Sequence, residues 1–159
     1  MKSKKSIKFD LSSEEKKMLR QKKMKKADLI DMSAKEIELV LAFSAQRAKE
    51  LDALSTFQQI PSIGIKFAED LIFLGYYDLG SLQNKTGAAL VEAYEHKKGY
   101  WIDSCVEDQF RLVVHFANHQ DYSKNWWDFT AERKAYRAEK GYPNNRPKRA
   151  WHEIAEAER

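Results

Sequence analysis

The chain is poor in the residues that make covalent staples, phosphate loops and membrane spans. It has one cysteine, three prolines and six glycines in 159 residues. The single thiol, Cys105, excludes an internal disulfide and agrees with a reducing cytoplasm, which is the expected location. There is no phosphate-binding glycine loop, no nucleophile elbow and no metal-binding carboxylate motif. No run approaches about 18 uncharged apolar residues, so no membrane contact is expected. The opening MKSKKSIKF lacks the apolar stretch and cleavage site of a secretory leader. Strand patterning is confined to residues 6–9, too short for a sheet.

What remains is a helical pattern. An apolar fraction of 43%, with 12% aromatic, is enough for a core. Ser12 with Glu15 has capping-box spacing and predicts a polar helix over about 13–26. Its apolar residues Met18, Leu19 and Met24 are sparse, so this arm is expected to be mobile unless bound. Ser33 with Glu36 repeats the signal. Behind it Ile37, Val40, Leu41, Ser44, Ala48 and Leu51 form one stripe at helical spacing, read as a single helix. Further helices are expected over 88–96, over 103–118 with Val106, Phe110, Val113, Val114 and Ala117 inward, and from Thr130 to about Gly141. Residues 141–149, with two prolines and two asparagines, read as a linker before a short amphipathic tail over 150–158. The fold class is all-α: a basic arm (1–30), a small domain (31–129) and a charged helical tail (130–159).

The most informative segment is IPSIG, residues 60–64, followed by Ala68. Pro61 ends the preceding helix. Gly64 lets the chain turn sharply, or lie close to another molecule, without a Cβ in the way. Ile65, Ala68, Leu71, Ile72 and Phe73 then continue at helical spacing. Helix, tight turn and helix make a helix-hairpin-helix, as in SAM-like domains. The first amides of its second helix lack intrahelical acceptors and carry partial positive charge, which suits a phosphate oxygen. Pro61, Ser62, Ile63, Gly64 and Lys66 are therefore the candidate nucleic-acid contacts, Ser62 adding a hydroxyl and Lys66 a charge. The plainer reading is a tight helix connection packed into a core.

Residues Ile60, Pro61, Ile63, Gly64, Ala68, Glu69, Asp70, Leu71, Leu74 and Gly75 resemble the pathogenicity-locus family of small bacterial helix-hairpin-helix proteins. Asp103, Cys105, Val106, Phe110, Arg111, Val114, Phe116, Ala117 and the run Trp126–Trp127–Asp128 extend the resemblance, over about residues 54–129. It implies an all-helical fold and contact with DNA. One departure stands out: such hairpins commonly carry glycine where this chain has Ser62.

Charge is unevenly placed. The whole chain carries +4. Residues 1–27 hold eleven Lys/Arg against three Asp/Glu, a balance of +8. Residues 28–129 hold nine against sixteen (−7), and residues 130–159 hold eight against five (+3). Each neutralised phosphate adds about 0.9 to the log–log salt slope, and a hairpin with one lysine supplies about two such contacts, too few at physiological salt. The basic ends must supply the rest: Lys16, Lys17, Arg20, Lys22, Lys23, Lys25 and Lys26, with Arg133 and Arg137. The leading expectation is a non-enzymatic protein binding DNA or another nucleic acid without base preference. The alternative is a protein-interaction module whose hairpin is purely structural.

Rival chemistry is thin, and no catalytic residue, metal or cofactor is expected. His115 and His119 have the i, i+4 spacing of two metal ligands, but the intervening glutamate of a zinc protease is missing; packing and helix-end roles fit them better. Cys105 sits in the first turn of a helix, where a thiol is activated, yet Asp103 opposes that; a buried structural thiol is the default. Glu69–Asp70 and Glu107–Asp108 read as solvated faces. Trp126 and Trp127 either seal the core, the favoured reading, or stack on bases or anchor a protein partner.

Overall fold

The computed structural model describes residues 6–157. Its elements are α1 (Ser13–Gln21), α2 (Ala34–Leu41), α3 (Ala45–Gln58), α4 (Ile65–Phe73), α5 (Gly87–Lys98), α6 (Ser104–His119), α7 (Thr130–Lys140) and α8 (Trp151–Ala157). Short 3-10 segments lie at Lys26–Asp31, Gly80–Leu82 and Trp126–Phe129. Among the described residues there is no strand, and an isolated bridge joins Trp101 to Ala150. The protein is all-α. The packing forms two compact units, one ending at Leu79 and the other beginning at Gly80, a division inside the expected 31–129 domain.

In the first unit, local hydrogen bonding sets the helix starts. Ser12 Oγ accepts from the Glu15 amide at 3.1 Å, and Glu15 Oε1 accepts from the Ser12 amide at 2.9 Å. The same box forms at Ser33 and Glu36. The stripe from Ile37 to Leu51 is not one helix. Ala42 turns left-handed (φ 56°), ending α2, and Ser44 Oγ caps α3 by accepting from the Arg47 amide at 3.1 Å. Ile37 and Leu41 are buried on α2 while Val40 is exposed, and Ala48 and Leu51 are buried on α3. A shared periodicity spanned a break because the break kept both apolar faces on the same core. α3 is the centre of this unit, with Ala48, Leu51, Ala53, Leu54 and Phe57 all buried.

The arm is packed rather than loose. Leu11, Leu19 and Leu29 are buried, and burying a leucine contributes about 1.5–3 kcal/mol. Three such anchors offset the sparse apolar content that suggested mobility.

In the second unit α5 packs against α6. Gly87 makes this possible: a Cβ there would lie 2.8 and 2.9 Å from the backbone N and Cα of Arg111. Asp103 Oδ1 caps α6 through the Cys105 amide at 2.9 Å. The segment over 141–149 is not a free linker. The Trp101 amide donates to the Arg149 carbonyl, and the Trp151 amide donates back to the Trp101 carbonyl, both at 2.9 Å.

Candidate functional site

The connection between α3 and α4 is built inside out. Ile60 and Ile63 are fully buried and hold the turn onto the core, and Ala68 is buried on α4. Pro61 and Ser62 are half-buried, whereas Gly64 and Lys66 face solvent. Ile63 thus serves the core by its side chain and is not a ligand contact there.

The backbone strain sits elsewhere than expected. Gly64 is extended (φ −101°, ψ −175°), and a Cβ built on it meets nothing within 4 Å. Ser62 is the left-handed residue, at φ 62°. The chain therefore turns left-handed at Ser62, two residues before Gly64, and a serine bears the strain. Ser62 Oγ donates to the Pro61 carbonyl at 2.6 Å, so its hydroxyl proton is committed to the turn. Gly64 is the N-cap of α4 and brings no side-chain cap, unlike Ser12, Ser33 and Ser44 on the other helices of this unit.

The arm places its cations in solvent. Lys16, Lys17, Arg20, Lys22, Lys23, Lys25 and Lys26 are all exposed, and no carboxylate interrupts them between Glu15 and Asp28. Lys2, Lys4 and Lys5 of the expected arm lie outside the described residues. The arm is held by α3. Arg47 Nε donates to Glu15 Oε2 at 2.7 Å, Nη2 to Asp10 Oδ1 at 2.9 Å, and Nη1 to Glu50 Oε2 at 3.2 Å. Burial pushes the Glu15 carboxyl up, but its bonds from Arg47 and Ser12 outweigh that and leave it below the usual range. Gln58, fully buried, treats Lys8 as a neighbouring strand would: Oε1 accepts from the Lys8 amide at 3.0 Å, and Nε2 donates to the Lys8 carbonyl at 2.7 Å. Neither Arg47 nor Gln58 was singled out from sequence. The available signal was a long polar side chain on the inward stripe of α3.

The C-terminal cations are used internally. Arg133 Nε donates to Asp108 Oδ1 at 2.8 Å, and Thr130 Oγ1 donates to Asp108 Oδ2 at 2.8 Å. Arg137 Nε donates to Glu107 Oε1 at 2.9 Å and Nη1 to Glu92 Oε2 at 3.0 Å. Arg146 grips buried Glu95 through two bonds, at 2.9 and 3.0 Å, with its guanidinium 3.8 Å from the Tyr142 ring centroid. Side-chain exposure is 12% for Arg133 and 7% for Arg137, so neither is available to a polyanion. Glu107 and Asp108 are correspondingly buried, at 2% and 1%, not solvated. Charge counting treats every arginine as free. Here Thr130, Arg133 and Arg137 share one face of α7, at i, i+3 and i+7, and meet the acidic pair of α6.

The rival sites take ordinary forms. The Cys105 thiol is half-buried, and burial followed by Asp103 pushes its pKa up to about 11, which makes it a poor nucleophile. His115 Nε2 lies 3.0 Å from Asp121 Oδ2, in hydrogen-bond contact, and the ring packs on His119 and Phe129. Ser123 and then His115 hold the Asp121 carboxyl below its ordinary range. Among the described residues no three His, Cys, Asp or Glu side chains group to hold a metal. Of the tryptophan pair, Trp126 is half-buried and Trp127 is 55% exposed, so only the first has a sealing role. Their rings meet edge-on with centroids 5.5 Å apart. No helix among the described residues is long and apolar enough to cross a membrane.

The sequence model of the family described as "Pathogenicity locus" matches residues 50–135, more than half of the chain. The chain belongs to the pathogenicity-locus family. The match runs from the middle of α3 through the turn, α4, α5 and α6 into α7, and it begins after the basic arm. No curated protein and no solved structure matches the chain.

Proposed function

We propose that this family member binds nucleic acid through its backbone phosphates, without catalysis and without base preference. The α3–α4 connection is read as a helix-hairpin-helix whose exposed face, Gly64 and Lys66, is one contact. The folded arm is the other. The observation that carries the reading is the run of seven exposed cations from Lys16 to Lys26 with no carboxylate among them. At about 0.9 per neutralised phosphate, seven cations give a salt slope of about 6, which is the range of a useful duplex binder. Arg133 and Arg137 drop out of the contact set. A cytoplasmic setting belongs to the reading and rests on the single cysteine.

The test is fluorescence anisotropy with labelled DNA across a salt series. Changing the seven arm cations to glutamine keeps Leu19 and Leu29 in place, which a truncation would not. Binding should fall to background, with a nearly flat salt dependence. Gly64→Val tests the turn, because valine at φ −101° is unstrained and finds open space. It should weaken binding while leaving the fold intact. A wild-type protein with no affinity for DNA at low salt refutes the proposal. In that case a protein partner becomes the better reading, favoured by Leu39 on α2, which is 71% exposed.

A further inference from the structure

Resting on the nucleic-acid reading, we infer that Arg47 is a positioning residue: it clamps the arm so that the Lys16–Lys26 cations form a rigid face suited to the fixed backbone of a double helix. Arg47 directs its guanidinium into the protein. Its Nη2 also donates to the Asp10 carbonyl at 3.0 Å and to Glu15 Oε1 at 3.0 Å, so Nε, Nη1 and Nη2 are all engaged within the protein.

The clamp acts on the cations through one carboxylate. Glu15 closes the capping box that starts α1 and also receives Arg47, so the helix bearing Lys16, Lys17 and Arg20 begins at the clamp. The second fastening, Gln58 on Lys8, lies eleven residues along α3, about 16 Å away at 1.5 Å per residue. The leading segment therefore runs antiparallel to α3 and is pinned at both ends of that stretch. On α1, Glu15, Met18 and Leu19 are turned inward. Lys16, Arg20 and Lys17 follow at about 0°, 40° and 100° around the helix, on the opposite side.

Beyond α1 the backbone remains tied. The Lys22 amide donates to the Met18 carbonyl at 3.1 Å, the Lys23 amide to Arg20 at 3.0 Å and the Met24 amide to Leu19 at 2.9 Å. Asp28 Oδ2 accepts from the Lys25 amide at 2.7 Å, and Leu29 is fully buried. Along the chain, the carboxylates flanking the run are Glu14 and Glu15 before it and Asp28 and Asp31 after it. Every cation thus sits on hydrogen-bonded backbone. A fixed array loses less conformational entropy on binding than a tail, and that advantage is largest when the ligand's phosphates are also fixed. A single strand bends to meet either arrangement.

The experiment compares a duplex with its single strand, using wild type, Arg47→Met and Glu15→Gln, with circular dichroism to confirm folding. Glutamine at position 15 retains the capping box but removes the ion pair. Arg47→Met should weaken duplex binding by about tenfold and lower its salt slope by about 2. Single-strand affinity should change much less, and Glu15→Gln should move in the same direction by a smaller amount. Equal losses on both ligands would mean only that charge was altered, and they overturn the inference. So would a folded Arg47→Met, or a folded Glu15→Gln if Arg47→Met loses its fold, with wild-type discrimination between the ligands. Wild type that binds neither ligand refutes the nucleic-acid reading itself, a different result from wild type that binds both equally, which refutes the rigid face alone.

Discussion

Replacing Arg133 with methionine separates a structural arginine from a phosphate-binding one. Arg133 is 12% exposed and makes its bonds to Asp108, which is 1% exposed. The hydrogen bond with Asp108 raises the Arg133 pKa, so the cation is stabilised where it sits. Removing it leaves a buried carboxylate with the Thr130 hydroxyl at 2.8 Å as its remaining side-chain donor. Breaking a buried pair in this way costs about 3–5 kcal/mol. For a chain of this size each kcal/mol lowers Tm by about 2–4 °C, so a fall of roughly 6–20 °C is expected. The double variant with Asp108→Leu should recover most of that loss, because an apolar pair of similar volume is often neutral. Urea and thermal unfolding at neutral pH measure the stability, and anisotropy on the same samples measures DNA affinity. A solvent-facing cation would give the opposite pattern: a stability change within about 0.5 kcal/mol and a salt slope lower by about 1. That pattern would refute the internal role assigned to Arg133.

Two further outcomes follow from the first unit. Ser62→Gly should raise stability by about 0.5 kcal/mol. It relieves roughly 1–2 kcal/mol of left-handed strain against about 0.5–1 kcal/mol of added chain entropy. A lower melting temperature in that variant would show that the serine hydroxyl matters more to the turn than its backbone strain. The clamp should also be sensitive to acid. The Glu15 carboxyl lies below its unfolded value, so its contribution is complete above about pH 4.3 and disappears as pH falls through the lower folded value. The stability gap between wild type and Glu15→Gln should close on acidification, and a gap that stays constant from neutral pH to about pH 3 would disprove the linkage.

The features legible along the chain were those made by residues within one helical turn of each other. Ser12 with Glu15, Ser33 with Glu36, and Asp103 ahead of Cys105 all cap helices as their spacing indicates, because each cap is a bond across two or three residues. The turn at Pro61 is as local, the all-α class followed from helical spacing repeated along the chain, and the family was carried by matching residues spread over about 54–129. Tertiary structure decided the fate of the charges and the place of the strain. Asp108 finds Arg133 twenty-five positions away, Glu107 adds Arg137 thirty positions away to its own i+4 partner Arg111, and Arg47 finds Glu15 thirty-two positions back. A carboxylate's net effect depends on whether a partner accompanies it out of water, and composition carries no record of that pairing. The left-handed residue is Ser62 rather than Gly64 because burial of Ile60 and Ile63 dictates where the chain must bend. Which cations remain for a ligand is likewise a result of folding: the arm keeps its seven in solvent, while α7 turns both of its arginines inward.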